Sequence, residues 1–117
     1  MITLRATKDQ IDADPDNWAM CLMNFVDEFR RVRDPRALEL PFAFTNDRMD
    51  ALLASTAESL CDELNLETPD WLSRVPAAKD PYFVSGLENL KAVSLVESPL
   101  RFRVRKIFVL ENFLNRV

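Results

Sequence analysis

Glycine is almost absent from this chain: Gly86 is the single one among 117 residues, against seven prolines. Tight turns between β-strands often need positive φ, which glycine adopts without strain. A sandwich or a barrel requires many such turns, so this composition argues against an all-β fold. Hydrophobic residues make up 48% of the chain and charged residues 29%, which suits one soluble domain with one core. We therefore expect an all-α single domain over residues 1–117, built as a compact helical bundle.

Two stretches have the apolar spacing of long amphipathic helices. The first covers residues 15–33 and begins at Asp14-Pro15, a capping acid followed by proline at the first helical position. Its apolar stripe recurs every three or four residues and consists of Trp18, Leu22, Phe25, Phe29 and Val32. The second covers residues 46–64, with Asn46 as the cap and Asn65 as the left-handed stop. Its stripe consists of Met49, Leu52, Leu53, Thr56, Leu60 and Leu64. Because each stripe needs cover, we expect the two helices to pack as an antiparallel pair.

Shorter helical elements follow in the second half of the chain, and several begin at a proline. Pro69 starts a piece that Pro76 limits to one or two turns. Ser85 and Glu88 have the spacing of a capping box, which predicts a third helix ending near Glu97. We expect this helix to cover the long pair.

The remaining segments are predicted to be connectors and short pieces. Residues 34–45 contain two prolines and several apolar side chains, which indicates a connector that packs against the core. Residues 80–83 predict a bend, and Pro99 begins a short turn. The apolar, β-prone residues 107–110 predict one short strand, and residues 111–117 a last helical turn or two.

The first thirteen residues are the hardest to assign. Ile2 and Leu4 alternate with polar residues, which is typical of a short extended arm. Thr7 and Gln10 have the spacing of a capping box, which would open a helical turn instead. We treat residues 1–13 as an N-terminal arm.

Histidine does not occur in the chain. Its absence excludes Ser-His-Asp and Cys-His catalysis and the usual histidine-based metal sites. No P-loop, G-x-G-x-x-G or H-E-x-x-H motif is present. The sequence therefore offers no catalytic, cofactor-binding or metal-ligating residue, and we expect a protein that is not an enzyme and needs no cofactor. Lysine and carboxylate chemistry is the enzymatic alternative that remains open.

Cysteine usage and hydropathy indicate a cytoplasmic protein. Cys21 and Cys61 are too few for a four-thiolate metal site, and we expect both to be reduced thiols in apolar surroundings. A disulfide between two packed helices is the alternative. The N-terminus lacks the apolar core of a signal peptide, and no stretch approaches the roughly 20 apolar residues of a membrane span. We expect no contact with a membrane.

The charge is distributed unevenly along the chain. The net charge is −4, but residues 1–98 carry a balance of −8 and residues 99–117 a balance of +4. An acidic body repels phosphate, which argues against nucleic acid as a partner of the isolated chain. The basic C-terminal segment, residues 99–117, is the local exception.

The candidate partner-binding residues are Arg101, Arg103, Arg105, Lys106 and Trp71. In a strand the three arginines would share one face, and in a helix they would spread around the axis. Three sources of counter-charge are open: the acidic body of the chain itself, an acidic protein surface, or phosphate. The indole could line a ligand pocket or cover the end of the bundle.

Three motifs in the second half follow one another in a characteristic order. They are P-D-W at residues 69–71, P-Y-F at residues 81–83 and S-P-L-R-F-R-V-R-K-I-F-V at residues 98–109. With the helix before them they resemble a bacterial family of small helical domains that carries P-x-W, P-[WY]-F and S-P-x-x-F-R-x-R-x-I-F-V, over about residues 17–117. That family occurs alone or behind helix-turn-helix regions and is associated with nucleotidyltransferase-like toxin neighbourhoods. The resemblance implies an antitoxin-like or regulatory role.

The leading expectation is thus a non-enzymatic domain that binds another protein, with a toxin as the specific form of the partner. The alternative is a nucleic-acid-associated transcriptional regulator that uses the basic C-terminal segment. No helix-turn-helix precedes Asp14, which argues against DNA reading by this chain alone. A homodimer is a further expectation.

Overall fold

The computed structural model describes residues 1–86 and 90–115, and this part of the chain is mainly helical, as the sequence predicts. The α-helices are α1 (Leu4–Ala13), α2 (Trp18–Val32), α3 (Asp47–Leu64), α4 (Lys91–Glu97) and α5 (Leu100–Arg103). Three 3-10 helices cover Pro15–Asn17, Pro35–Leu38 and Asp70–Arg74. The strands are β1 (Tyr82–Phe83) and β2 (Ile107–Phe108).

The first predicted long helix is confirmed as α2, but its first three predicted residues form a 3-10 helix instead of α-helix. The turn that begins at Pro15 is a 3-10 helix, α2 follows it, and the helix ends where Arg33 adopts a left-handed φ of 56°. The rings of Phe25 and Phe29 are buried and stacked, with centroids 5.7 Å apart. The two ends of the stripe are less covered than predicted, because Trp18 is half-buried and Val32 is exposed.

The second predicted long helix is also confirmed, at both of its caps. The Asn46 side chain accepts a hydrogen bond from the Met49 amide at 3.2 Å, and Asn65 has the expected left-handed φ of 56°. The predicted one-sided stripe is too narrow, since residues 51–58 are all buried. α3 is surrounded by α1, α2, α5, β2 and the 3-10 helix at Asp70–Arg74, which makes it the central helix of the core.

The N-terminal arm is a wrong prediction: this segment is helix α1. Thr3 is its cap and accepts a hydrogen bond from the Ala6 amide at 3.0 Å, while Thr7 lies within the helix. α1 packs on α2 and α3 and buries Leu4 and Ile11. Alternation at two positions suggested a strand, but contact with two neighbouring helices decides the local structure.

The buried Lys8 of α1 forms polar contacts with α3 and with the chain just before it. The Lys8 ammonium lies 3.0 Å from Asp50 Oδ1 on α3, and both side chains are 2% exposed. The ammonium also donates to Thr45 Oγ1 at 2.7 Å and lies over the ring of Phe42. Asp50 Oδ2 in turn accepts from the Asn46 amide at 3.1 Å. The pair is buried with several polar partners, which is the condition under which a buried charge is tolerated.

The predicted short strand is confirmed in shortened form, as β2. It pairs in parallel with β1, with Tyr82 opposite Ile107 and Phe83 opposite Phe108. The predicted bend at residues 80–83 is therefore wrong over its last two residues. A two-residue strand exists only through its partner, and here the partner lies 25 positions away in the sequence.

The last two predicted helical pieces differ from expectation. The third helix appears as α4, but the capping box falls partly on residues 87–89, outside the described part, and α4 buries Ser94 rather than its apolar residues. Residues 111–115 form hydrogen-bonded turns instead of helix, and residues 116–117 lie outside the described part. Within the described ranges, no helix has the length and hydropathy needed to cross a membrane.

Candidate functional site

The basic C-terminal segment begins as a helical turn and continues into β2. Of the two geometries considered for its arginines, the structure has the helical one for Arg101 and Arg103, in α5. Arg105 follows on the turn toward β2, where Lys106 has a left-handed φ of 62°. The three arginines therefore point to different surroundings.

Arg105 is enclosed in the protein, with 6% of its surface exposed. Its guanidinium forms an ion pair with the buried Glu58 of α3. It also donates to the backbone oxygens of Leu72 at 2.7 Å and Val75 at 3.2 Å. These contacts join the C-terminal segment, the central helix and the chain before β1. In this conformation Arg105 is not accessible to a partner.

Arg101 is half-buried and forms a two-point pair with Asp62, with nitrogen–oxygen distances of 2.9 and 3.1 Å. Its Nη1 also lies 3.7 Å from Glu58 Oε2. The hydrogen bonds to Asp62 raise the pKa of Arg101 above its ordinary value, so the guanidinium stays charged. The acidic body thus supplies the counter-charge for two of the four cations.

Arg103 and Ser98 form hydrogen bonds within residues 96–109, the stretch that contains the third motif. The Arg103 guanidinium donates to the backbone oxygens of Ser98 at 2.7 Å and Val96 at 3.0 Å. The Ser98 hydroxyl accepts from the Val109 amide at 2.8 Å and lies 2.9 Å from the Val109 oxygen. Ser98, Arg103 and Arg105, the polar residues of this motif described here, therefore each have a hydrogen-bond partner within the chain.

Trp71 is half-buried and covers part of the core. Its indole nitrogen donates to the Leu38 backbone oxygen at 2.8 Å, and its ring meets Phe42 edge-on at 5.2 Å. This arrangement suits the covering role that the sequence analysis considered. Its contact with a partner stays a prediction.

Exposed apolar side chains concentrate on residues 93–104, which overlap the basic C-terminal segment. Ten large apolar residues are exposed in the described part, and five of them lie between residues 93 and 104. These five are Val93, Leu95, Val96, Leu100 and Val104. The third helix was expected to cover the two long helices, but its apolar side chains face solvent instead, so that expectation is wrong.

Val96, Leu100, Arg103 and Val104 form what we call the α5 surface. Leu100, Arg103 and Val104 stand at helical positions i, i+3 and i+4, and the Arg103 side chain reaches the Val96 backbone. The three apolar members are 76%, 72% and 61% exposed, in chain order. The spacing of four between them is visible in the sequence, but Pro99 interrupts the helix and hid the pattern.

A groove of about 640 Å³ borders this region between α3, α5 and the C-terminal turns. Two matched ion pairs flank it: Asp62 with Arg101, and Glu63 with Arg30 at 2.8 and 2.9 Å. Apolar side chains, among them Phe102, lie between the pairs. In the residues that the structure describes, no group of three histidine, cysteine, aspartate or glutamate residues is arranged to hold a metal ion. The groove thus combines apolar side chains with two internal ion pairs and the exposed Glu111.

Both cysteines are free thiols, as predicted, but their surroundings differ. Cys61 is buried on α3, whereas Cys21 is only half-buried on α2. Burial, with smaller contributions from the Asp62 and Glu58 carboxylates, raises the pKa of the Cys61 thiol to about 11. A thiol with such a pKa is almost fully protonated at neutral pH and reacts poorly.

We therefore expect Cys61 to be modified more slowly than Cys21 by an alkylating reagent at pH 8 in the folded protein. The Cys61 rate should rise about tenfold per pH unit below its pKa, because the thiolate is the reacting species. Mass spectrometry of digested samples measures both rates, and the denatured protein serves as the control in which they should converge. Fast labelling of Cys61 in the folded chain would contradict its burial.

Comparison with known proteins adds no relative to this description: no family model, curated protein or solved structure matches the chain. The resemblance of the three motifs to a bacterial family is therefore an expectation from the sequence, and the site is interpreted from its own geometry.

Proposed function

We propose that this chain is a non-enzymatic domain that binds another protein, and that the partner is a toxin which it neutralises in the cytoplasm. The α5 surface is the observation that carries the proposal. Three largely exposed apolar side chains lie on one short stretch of chain with an exposed cation, and apolar groups rimmed by charge are a feature of protein interfaces. We also propose that α2 and α3 pack as an antiparallel pair.

The exposed cations define the chemistry of the partner. Arg103 and Lys106 are exposed, whereas Arg101 and Arg105 are paired with Asp62 and Glu58. The complementary surface therefore carries an acidic group beside apolar side chains. The nucleotidyltransferase-like toxin is the partner class that the motif resemblance implies, and no cofactor is required for such an interaction.

A nucleic-acid-associated regulator is the second candidate, and the exposed Arg103 and Lys106 are the feature that favours it. Affinity for a duplex depends on how many phosphates a protein neutralises. The basic C-terminal segment exposes two cations in its described part, Arg103 and Lys106, and on a chain of net charge −4 these are a weak basis for that affinity. We expect the isolated chain to show no sequence-selective binding to DNA.

The α5 surface can be tested with one charge placed inside its apolar part. Leu100→Glu should weaken binding to the partner by about tenfold or more, because it buries an unpaired carboxylate at the contact. Leu40→Glu is the matched control, since Leu40 is another exposed leucine, at 55%, outside this surface. The measurement is co-purification and calorimetry with any nucleotidyltransferase-like protein that is encoded beside this chain.

Three results would speak against the proposal. They are the absence of a toxin gene beside this one, binding of Leu100→Glu as tight as that of the unaltered chain, and an equal loss of binding by Leu40→Glu. Selective, salt-dependent binding of the isolated chain to a DNA duplex would favour the regulator instead.

A further inference from the structure

A second apolar surface lies at the start of α2, on a hollow of about 480 Å³ that we call the Trp18 hollow. Its lining residues in the described part are Asn17, Trp18, Ala19, Met20, Leu22, Met23, Phe113 and Asn115, and none of them is charged. Met20 is 53% exposed and Trp18 is half-buried. Methionine and tryptophan side chains around a hollow give an adaptable apolar contact.

Carboxylates adjoin the Trp18 hollow along the chain and across Asn115. Asp14 and Asp16 are exposed; Asp16 directly precedes the lining residue Asn17, and Asp14 lies two positions before Asp16. On the other side, Asn115 is shared with a neighbouring hollow whose lining includes Glu97 and Glu111. An apolar centre with carboxylates at its edges fits an apolar group that carries cations at its edges.

We propose that the Trp18 hollow receives the α5 surface of a second copy of this chain. The α5 surface has the required chemistry: exposed Val96, Leu100 and Val104 around the Arg103 guanidinium, with Lys106 beyond. The two surfaces are therefore complementary in charge and alike in apolar character, and every molecule carries both. The inference does not rest on the proposed toxin partner.

The positions of the two surfaces favour a closed, two-fold dimer. Residues of α4 line the hollow that adjoins the Trp18 hollow at Asn115, and α5 follows α4 after Ser98-Pro99. Because the surfaces lie on neighbouring elements, one copy can present its α5 surface while receiving its partner's. Such reciprocal contacts close a pair, whereas a head-to-tail contact would extend into a chain.

The first test measures the mass of the isolated chain by sedimentation over a concentration series. We expect a reversible dimer, and Met20→Asp should raise its dissociation constant by about tenfold or more because it places a carboxylate in an acidic, apolar contact. Leu40→Asp is the control and should dimerise normally. A second copy and the toxin would occupy the same α5 surface and therefore compete for it. Met20→Asp leaves that surface intact, so it should keep toxin binding or strengthen it while weakening the dimer, which separates the two proposals. A monomer at every concentration, or a dimer indifferent to Met20→Asp, would overturn this one.

The second test uses charge reversal. Asp16→Lys alone and Arg103→Glu alone should each weaken the dimer, because each places like charges together in both contacts. An equal mixture of the two variants should recover dimerisation, since a two-fold pair made of one of each has only opposite charges facing each other. If Arg103→Glu lowers the melting temperature of the chain, Lys106→Glu takes its place in the mixture with Asp16→Lys. Asp80→Lys is the control, because Asp80 is an exposed aspartate elsewhere on the chain. Failure of both mixtures to recover the dimer, or masses above a dimer, would exclude this arrangement.

Discussion

Phe25→Ala is expected to lower the free energy of unfolding by about 3–5 kcal/mol, the range for truncating a buried phenylalanine. Phe25 has no exposed surface and stacks on Phe29, so truncating its side chain leaves a cavity in the core. The total stability of a small domain is about 5–15 kcal/mol. The loss is therefore large enough to threaten folding at physiological temperature.

Urea unfolding followed by circular dichroism measures this effect. Val32→Ala is the matched control on the same helix, because Val32 is 38% exposed and leaves no buried cavity. We expect the control to change stability much less than Phe25→Ala. Equal effects of the two substitutions would mean that the core does not depend on the stacked phenylalanines.

Arg105→Met should also destabilise the fold by about 3–5 kcal/mol, because it leaves the Glu58 carboxylate buried with its main partner removed. Two backbone oxygens, of Leu72 and Val75, lose their donor at the same time. Methionine keeps much of the side-chain volume, so the effect reports charge and hydrogen bonding rather than a cavity. Thermal and urea unfolding give the difference.

A double-mutant cycle separates this pair from general damage. Glu58→Leu should be costly alone, and Arg105→Met/Glu58→Leu should cost less than the sum of the two, because neither charge is then left buried and unpaired. Arg74→Ala is the control for an exposed arginine on the adjoining 3-10 helix. Strict additivity of the two single effects would show that the ion pair does not couple these positions.

Local rules in the sequence were sufficient for the two long helices. Proline after Asp14 marks the start of the first, and Asn46 and Asn65 mark both ends of the second. Capping and periodicity depend on residues within about four positions of each other, so they can be read without knowledge of the fold. The same local rules misassigned residues 1–13, where weak alternation outweighed a good cap at Thr3.

The candidate site was predictable as a segment but not as a surface. A run of four cations in six residues identified residues 101–106, yet it could not show that Arg105 is enclosed and Arg103 exposed. Of the apolar members of the α5 surface, the sequence places only Val96 in the predicted covering helix, and hydropathy does not distinguish an inward face from an exposed one. Only the tertiary structure, in which α4 packs on β2 and α5 packs on α3, shows that Val96 and Leu100 are exposed.

The sequence by itself determined the helical class, the existence of α2 and α3, the caps of α3, and the absence of histidine chemistry. These follow from composition and from interactions between residues close in the chain. The tertiary structure alone decided that Lys8 pairs with Asp50, that Arg105 pairs with Glu58, and that β1 pairs with β2. Each cation in this chain could pair with any of many carboxylates. The pair that forms is the one whose two members share a buried environment once the apolar core has formed. That is a property of distance in space, which spacing along the chain does not contain.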